Sequence, residues 1–550
     1  MRRIILTCLL LQAAALSPGG PLQRVDVRGN VFYSRAEIGR ILDRGTSRQD
    51  AVRELLGTYH AAGFLDAALQ ASWNADSTGA AIIIHEGRRH RAGAIVINGN
   101  SYIAARYLSA LLLLKPGSYF DQSLLRQDLA SISRTYAEAG FPHAAVSLTG
   151  LAVSGDTVDY SYQIDEGPRV VLSAISVNGN LATSASVVLR IAGLSAGLPF
   201  SRSRLELARS RLLRSGLFIQ VDAPALYATG DSGREELRLA VREDKYNTFF
   251  GALGYNQDQQ RAGWLAGTVE LEMRNIAGTA RRMALRWERL QQYSSSLRAS
   301  YQEPWLLGTA MGAALEVSHR IQDSLYTQST GQALVTLPLS DNLTIGTGAA
   351  VERTVPGPVP TIKRSLQYSS VWTLSGDHRS PLGRPAGWRY GLRLQYGRKR
   401  YYDPAAQLTV GRAEADLEWS VPVALRQSAD AALHVRLLSS GEHPVPRPDQ
   451  YSLGGAATLR GYFEQQFTAS QLGWASLEYR LAPAPGFSYY PFCDIGYLRD
   501  RDRGPDRLRA GYGAGFRLQT RIGRFQLDYG LGQGDRPLNG KIHLILHSDF

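Results

Sequence analysis
The chain has 550 residues, of which 44% are apolar and 20% charged, and its net charge of +13 rests on 61 basic residues of which only five are lysine. Two cysteines leave no room for a disulfide framework or a cysteine-held metal cluster. After residue 17 no stretch reaches the roughly 18 apolar residues of a membrane-spanning helix. A helical membrane protein is excluded. A strand-built one is not, because a spanning strand needs only about 9–11 residues with every second one apolar.

Residues 1–17 read as an export signal. Arg2 and Arg3 supply the positive start, Ile4 to Leu11 the short apolar core, and Ala13 to Ala15 the small residues before cleavage. Cys493 is then the one cysteine of the mature chain.

Three copies of one pattern fill the next stretch. Val27-Arg28-Gly29-Asn30, Ile97-Asn98-Gly99-Asn100 and Val177-Asn178-Gly179-Asn180 each end an apolar, strand-like run. A second marker follows each: Tyr59 to Phe64, Tyr136 to Phe141, and Leu213 to Phe218, each with a glycine before its last apolar residues. A third closes each unit, at Glu86-Gly87, Glu166-Gly167 and Glu243-Asp244. A lone Gly-Asn marks only a turn. Three markers in one order, three times, mark a repeat, with units at 22–91, 92–170 and 171–245. Leu124, Leu125, Leu129 and Ile132 have near-helical spacing before a stop at Gly140, and Thr157 to Ile164 alternates as a strand. Each unit reads β-α-α-β-β. Gly193-Leu194-Ser195-Ala196-Gly197 has the form of a hydrolase nucleophile elbow, but it aligns with an inter-helix turn of the second repeat, so Ser195 is not read as a nucleophile.

From residue 246 the period changes to two. Trp388, Tyr390, Leu392, Leu394 and Tyr396 interleave with Arg389, Gly391, Arg393 and Gln395. Ala413 to Trp419 and Phe525 to Leu531 alternate likewise. A soluble sandwich also alternates; the export signal, the aromatic load of the apolar faces and the terminal Phe550 favour a membrane barrel. Residues 246–550 accommodate about sixteen strands at about 19 residues per strand and connection, an even number as such barrels require. The non-alternating segment of about 440–467, between the eleventh and twelfth strands, is extracellular by parity.

That segment holds Leu453-Gly454-Gly455 and Arg460-Gly461-Tyr462. Glu478-Tyr479-Arg480 and Phe492-Cys493-Asp494-Ile495-Gly496 follow on the next two strands, and Tyr301 to Trp305 stands early in the region. In this order, after three such repeats, they resemble the outer-membrane protein assembly factor superfamily of the BamA and TamA type. The layout is most similar to the translocation and assembly module branch. The repeats resemble its POTRA (polypeptide-transport-associated) modules. The fold expected is three α+β POTRA-like repeats followed by a 16-stranded antiparallel transmembrane β-barrel over 246–550. The resemblance implies that the loop folds back into the barrel and that Arg460 meets lumenal acids. Asp494 alternates against Cys493 and Ile495, and Glu478 against Leu477 and Tyr479, so both acids can face inward, and a guanidinium can bridge two carboxylates. The terminal strand carries Ile542, Leu544, Leu546 and Phe550; Ser548 stands where the family has an aromatic.

The function implied is assembly or translocation of client proteins in the bacterial outer membrane. The repeats, in the periplasm, would receive unfolded outer-membrane or secreted clients, and a lateral seam in the barrel would release them. Alternatives are a two-partner-secretion-type polypeptide transporter and a passive channel or receptor with periplasmic docking modules. Further partners implied are a periplasm-spanning protein, outer-membrane lipid and lipopolysaccharide. No catalytic motif, metal site or cofactor is expected: His543 and His547 are four apart, but on a strand. The arginines are scattered rather than clustered, which argues against nucleic acid and for anionic lipopolysaccharide as the counter-charge.

Overall fold
The computed structural model describes residues 24–43, 47–73, 79–243, 247–257, 263–358, 362–380, 386–442, 444–499, 505–520 and 523–547. The export segment, Ser548 and Phe550 therefore lie outside the described residues. Two compact units form: the chain up to 174 with 196–205 and 227–236, and a second unit of 175–195, 206–226 and 237–550.

The first repeat runs β1 (Arg24–Arg28), α1 (Arg35–Leu42), α2 (Arg48–Ala61), β2 (Ala68–Trp73), β3 (Gly79–His85). The second runs β4 (Arg91–Asn98), α3 (Ala105–Leu111), α4 (Gln122–Glu138), β5 (Ala145–Ser154), β6 (Thr157–Asp165). Their sheets are ordered β1-β3-β2 and β4-β6-β5. The outer β1 and β4 pair in parallel with the central strand, which the two intervening helices permit by carrying the chain back. Val158, Tyr160, Tyr162 and Ile164 alternate into the second core, against Ile132 and Tyr136 of α4. Ser34 caps α1 in a reciprocal box with Glu37. The third repeat has β7 (Val171–Asn178), α5 (Ala185–Ala192), α6 (Arg202–Arg214), β8 (Phe218–Val221), β9 (Ala225–Ala228) and β10 (Arg234–Glu243), so it adds the short β9. Gly193 ends α5 in the left-handed conformation, so the elbow-like segment is a turn between helices.

The three markers of each repeat meet in space. Gly29, Gly99 and Gly179 have φ of +82°, +79° and +86°, and a Cβ there would lie about 2 Å from a carbonyl oxygen of the closing strand. The asparagine beside each donates to a carbonyl three residues on, at 2.9 Å each time. The closing glutamate accepts two backbone N–H groups from the same turn: Glu86 from Val31 and Phe32, Glu166 from Ser101 and Tyr102, Glu243 from Ala182 and Thr183. Tyr59 and Tyr136 donate to the first two glutamates as well.

The second unit holds a sheet of sixteen antiparallel strands. They are β11 (Thr248–Gln257), β12 (Gly263–Ile276), β13 (Arg281–Gln291), β14 (Ser294–Glu303), β15 (Gly312–Gln322), β16 (Tyr326–Ser340), β17 (Leu343–Pro356) and β18 (Ser365–Asp377). There follow β19 (Gly387–Tyr402), β20 (Ala405–Ala424) and β21 (Gln427–Ser440). After a loop containing β22 (Tyr451–Leu453) and β23 (Phe467–Ala469) come β24 (Gln471–Ala484), β25 (Phe487–Arg499), β26 (Arg507–Thr520), β27 (Gly523–Gly532) and β28 (Lys541–His547). Trp388, Leu392, Leu394 and Tyr396 point outward, and the interleaved polar residues point to the lumen. No helix among the described residues is long and apolar enough to cross a membrane. The end strands β11 and β28 are neighbours, yet no hydrogen-bonded ladder joins them among the described residues, where ten pairs join β11 to β12 and seven join β27 to β28.

Within this unit residues 175–195 and 206–226 contact strand ends and turns of the sheet. Asn275 donates to Thr183 at 2.8 Å, Arg190 lies 5.0 Å over the Trp305 ring, and Arg211 pairs with Asp341 at 2.6 Å.

Candidate functional site: a loop clamped in the lumen
The chain between β21 and β24 does not project as an open loop. β22 and β23 pair as a short hairpin, and the tip closes on itself: Gly454 donates to the Thr458 hydroxyl and Gly455 to the Leu459 carbonyl. Gly454 and Gly455, at φ +120° and +104°, make the bend that ordinary side chains resist. Leu453, Leu459 and Tyr462 then pack on Leu472, Trp474 and Leu498, lumen-facing residues of β24 and β25.

Arg460, at the tip, is 5% exposed. Its Nε and Nη2 donate to the two oxygens of Asp494 at 2.8 and 2.7 Å, Nη1 donates to Glu478 at 2.7 Å, and Nη2 also donates to the Ser476 hydroxyl at 2.8 Å. Its backbone N–H donates to Asp494 at 3.1 Å, and its guanidinium lies 3.6 Å from the Phe492 ring centre. Asp494 is 0% exposed, between exposed Cys493 and Ile495. Glu478 is held a second time by Arg517 at 3.1 Å, and Asp528 stands 3.8 Å from Arg460 while accepting from Tyr490 at 2.5 Å. Carboxylates and guanidiniums thus alternate, as burial of several charges requires.

The floor under the loop is glycine. A Cβ at Gly511 would lie 1.9 Å from the Arg460 carbonyl oxygen, one at Gly530 2.6 Å from the Gly461 nitrogen, and one at Gly496 2.8 Å from Leu453. Gly461 itself has φ +88°, and its own Cβ would meet the Leu531 backbone at 2.6 Å. Tyr462 donates its hydroxyl to the Ala510 carbonyl and accepts from the Gln533 amide, both at 3.0 Å.

The base of the loop is pinned to other strands. Buried Asp449 pairs with Lys399 of β19 and stands 3.5 Å from Arg412 of β20, which donates to Glu352 of β17 at 3.1 Å. With its base on β17–β20 and its tip on β24–β28, the loop crosses the lumen.

Arg460, Asp494 and Glu478 therefore come together. Ile542 and Leu544 point outward, 69% and 61% exposed, and Leu546 pairs in register with Phe525. Sequence reasoning missed Ser476, Asp528, Arg517 and the Asp449 anchor, and it quoted Phe492 as part of a motif without its stacking on Arg460. Lys399 lies between Arg398 and Arg400, so alternation carried no signal there. Among the described residues no group of three or more His, Cys, Asp or Glu is placed to hold a metal ion.

Comparison with known proteins matches residues 275–543 to the Omp85 superfamily domain, and 90–167 and 170–243 to the POTRA family, described as surface antigen variable number repeat. The chain is 23% identical over 519 residues to the outer membrane protein assembly factor BamA of Nitratidesulfovibrio vulgaris, covering 85% of this chain and 63% of that one. It is 27% identical over 237 residues to BamA of Neisseria meningitidis, covering 42% and 29%. It thus spans less than two thirds of either relative. Among solved structures, CdiB from Escherichia coli superposes with a TM-score of 0.53 at 13% identity, over 94% of this chain and 97% of that one. BamA from Haemophilus ducreyi lacking POTRA domains 1–3 gives 0.51 at 17%, over 84% and 100%. Both likenesses concern the fold.

Proposed function
The chain belongs to the Omp85 superfamily, and on that premise we propose that it is an outer-membrane protein assembly or translocation factor. Its barrel stands in the bacterial outer membrane with the repeats in the periplasm. The repeats, taken as 22–91, 92–170 and 171–245, receive unfolded client polypeptides, outer-membrane or secreted, and deliver them to the barrel at 246–550. The observation that carries the reading is the pair of neighbouring edges β11 and β28 with no ladder between them among the described residues. In lipid each unsatisfied backbone group is costly, so such an edge favours pairing with an incoming strand. No covalent chemistry is required. The Arg460 clamp holds the crossing loop in place beside that seam. Outer-membrane lipid and lipopolysaccharide surround the barrel, and a periplasm-spanning partner would engage the repeats. The test is depletion in the native cell followed by quantification of outer-membrane and secreted proteins. Selective loss of strand-built outer-membrane proteins is expected; an unchanged outer-membrane and secreted complement overturns the reading, and loss of one secreted protein alone transfers it to the two-partner transporter.

A further inference from the structure
The loop motif touches one more side chain that the clamp does not use. The Gly461 N–H donates to Nε2 of His543 at 3.2 Å, and His543 is 8% exposed, on the lumenal side of β28 between outward-facing Ile542 and Leu544. Nε2 can accept only if the ring proton sits on Nδ1. The approach is close because Gly461 lies over Gly530 of β27, where a Cβ would come within 2.6 Å of its nitrogen. His543 also stands opposite Asp528 in the β27–β28 ladder, and Asp528 borders the Arg460 ion group. A second contact runs the same way: Lys541 of β28 lies 5.6 Å from the Phe463 ring.

A cavity of about 730 Å³ lies at the seam, lined by Phe250 of β11, Glu270 of β12, Leu544 and Ile545 of β28, and Ala456 and Glu464 of the loop, so space rather than packing separates the loop from β11. Among the described residues β28 has a single ladder, to β27, so side-chain ties weigh more on it than on an interior strand.

We infer that His543 is a positioning residue that ties β28 to the lumenal loop, so that the loop carries one wall of the seam. This rests on the seam of the proposed function and deepens it: loop docking and the position of the last strand are coupled through one imidazole.

The experiment is amide hydrogen exchange on the full-length chain, folded in detergent without client. His543→Leu keeps an apolar side chain but removes the acceptor; exchange across Lys541–His547 should quicken about tenfold, the order expected for one net hydrogen bond, while β24 and β25 keep their rates. His543→Gln, which restores an acceptor, should recover most of the protection. Arg460→Ala, which frees the loop by another route, should also quicken β28. An unchanged rate in β28, an equal quickening across β24–β28, or no recovery with glutamine overturns the coupling. Should H543L not fold, imidazole nitrogen-15 shifts of the unmodified protein decide: an Nδ1–H tautomer supports the tie, and an Nε2–H tautomer overturns it. Because no client is present, failure here leaves the assembly reading standing, and failure of the depletion test leaves this one standing.

Discussion

Arg460→Ala is the sharpest test of the clamp. The substitution deletes four side-chain hydrogen bonds and leaves Asp494, fully buried, with only the Ser476 hydroxyl and the loop amide as donors. Glu478 is better off, because Arg517 and Arg480 still hold it. Removing one partner of a buried ion pair costs about 3–5 kcal/mol; with one of the two carboxylates still neutralised, the lower end applies. At 1.4 kcal/mol per factor of ten, about 3 kcal/mol raises the undocked population of the loop by roughly 100-fold. Proteolysis follows that population when reclosing outpaces cleavage. The assay is limited proteolysis of the folded barrel with cuts mapped over residues 454–466, alongside the outer-membrane protein profile of cells carrying the variant. Arg460→Lys should fall between, since an ammonium cannot make the forked contact to Asp494 and reach Glu478 as well. Cleavage of Arg460→Ala at the unmodified rate, with an unchanged profile, would refute the reasoning.

Three further expectations concern the supports. Gly511→Ala places a methyl 1.9 Å from the Arg460 carbonyl oxygen, a backbone atom that cannot turn aside; the loop should undock with the arginine intact, raising cleavage as much as Arg460→Ala does. Asp449→Asn leaves Lys399 without its partner and should loosen the loop base, lowering the temperature at which the barrel loses its compact mobility on gels. Adding Lys399→Met should recover much of that loss, because Arg412 and Glu352 remain as a balanced pair; no recovery would argue against the pairing. In the repeats, burial raises the Glu138 carboxyl, but hydrogen bonds from the Ser203 and Ser201 hydroxyls and the Ser203 amide outweigh it and hold the group below its ordinary value. Its contribution is therefore present above the unfolded carboxylate pKa, about 4.3, and is lost as pH falls through the lower folded value. The group is exposed, so the effect should be under about 1 kcal/mol. Exchange at Ser203 and Arg204 compared with Glu138→Gln should differ at neutral pH and converge in acid; a constant difference would refute it.

What the sequence determined by itself was everything carried by short-range period. The β-α-α-β-β order follows from helical spacing, glycine stops and alternation, each legible within about 20 residues. The sixteen strands follow from period-two alternation and length. Asp494 and Glu478 could be placed inside because neighbours in a strand point to opposite faces, and the family resemblance supplied Arg460 as their partner. Only the tertiary structure decided what lies across the lumen. Gly511 and Gly530 stand 50 and 69 residues beyond Gly461, and nothing in their own strands distinguishes them from glycines at a bend. The same holds for Lys399 under Asp449 and for His543 under Gly461. These contacts depend on the stagger of strands around the barrel and on a loop that turns inward. Hydrogen-bond register sets the first and the burial of Arg460 the second. Neither is a local property of the chain, which is why His543 among the apolar residues of the last strand says nothing until the fold brings the loop to it.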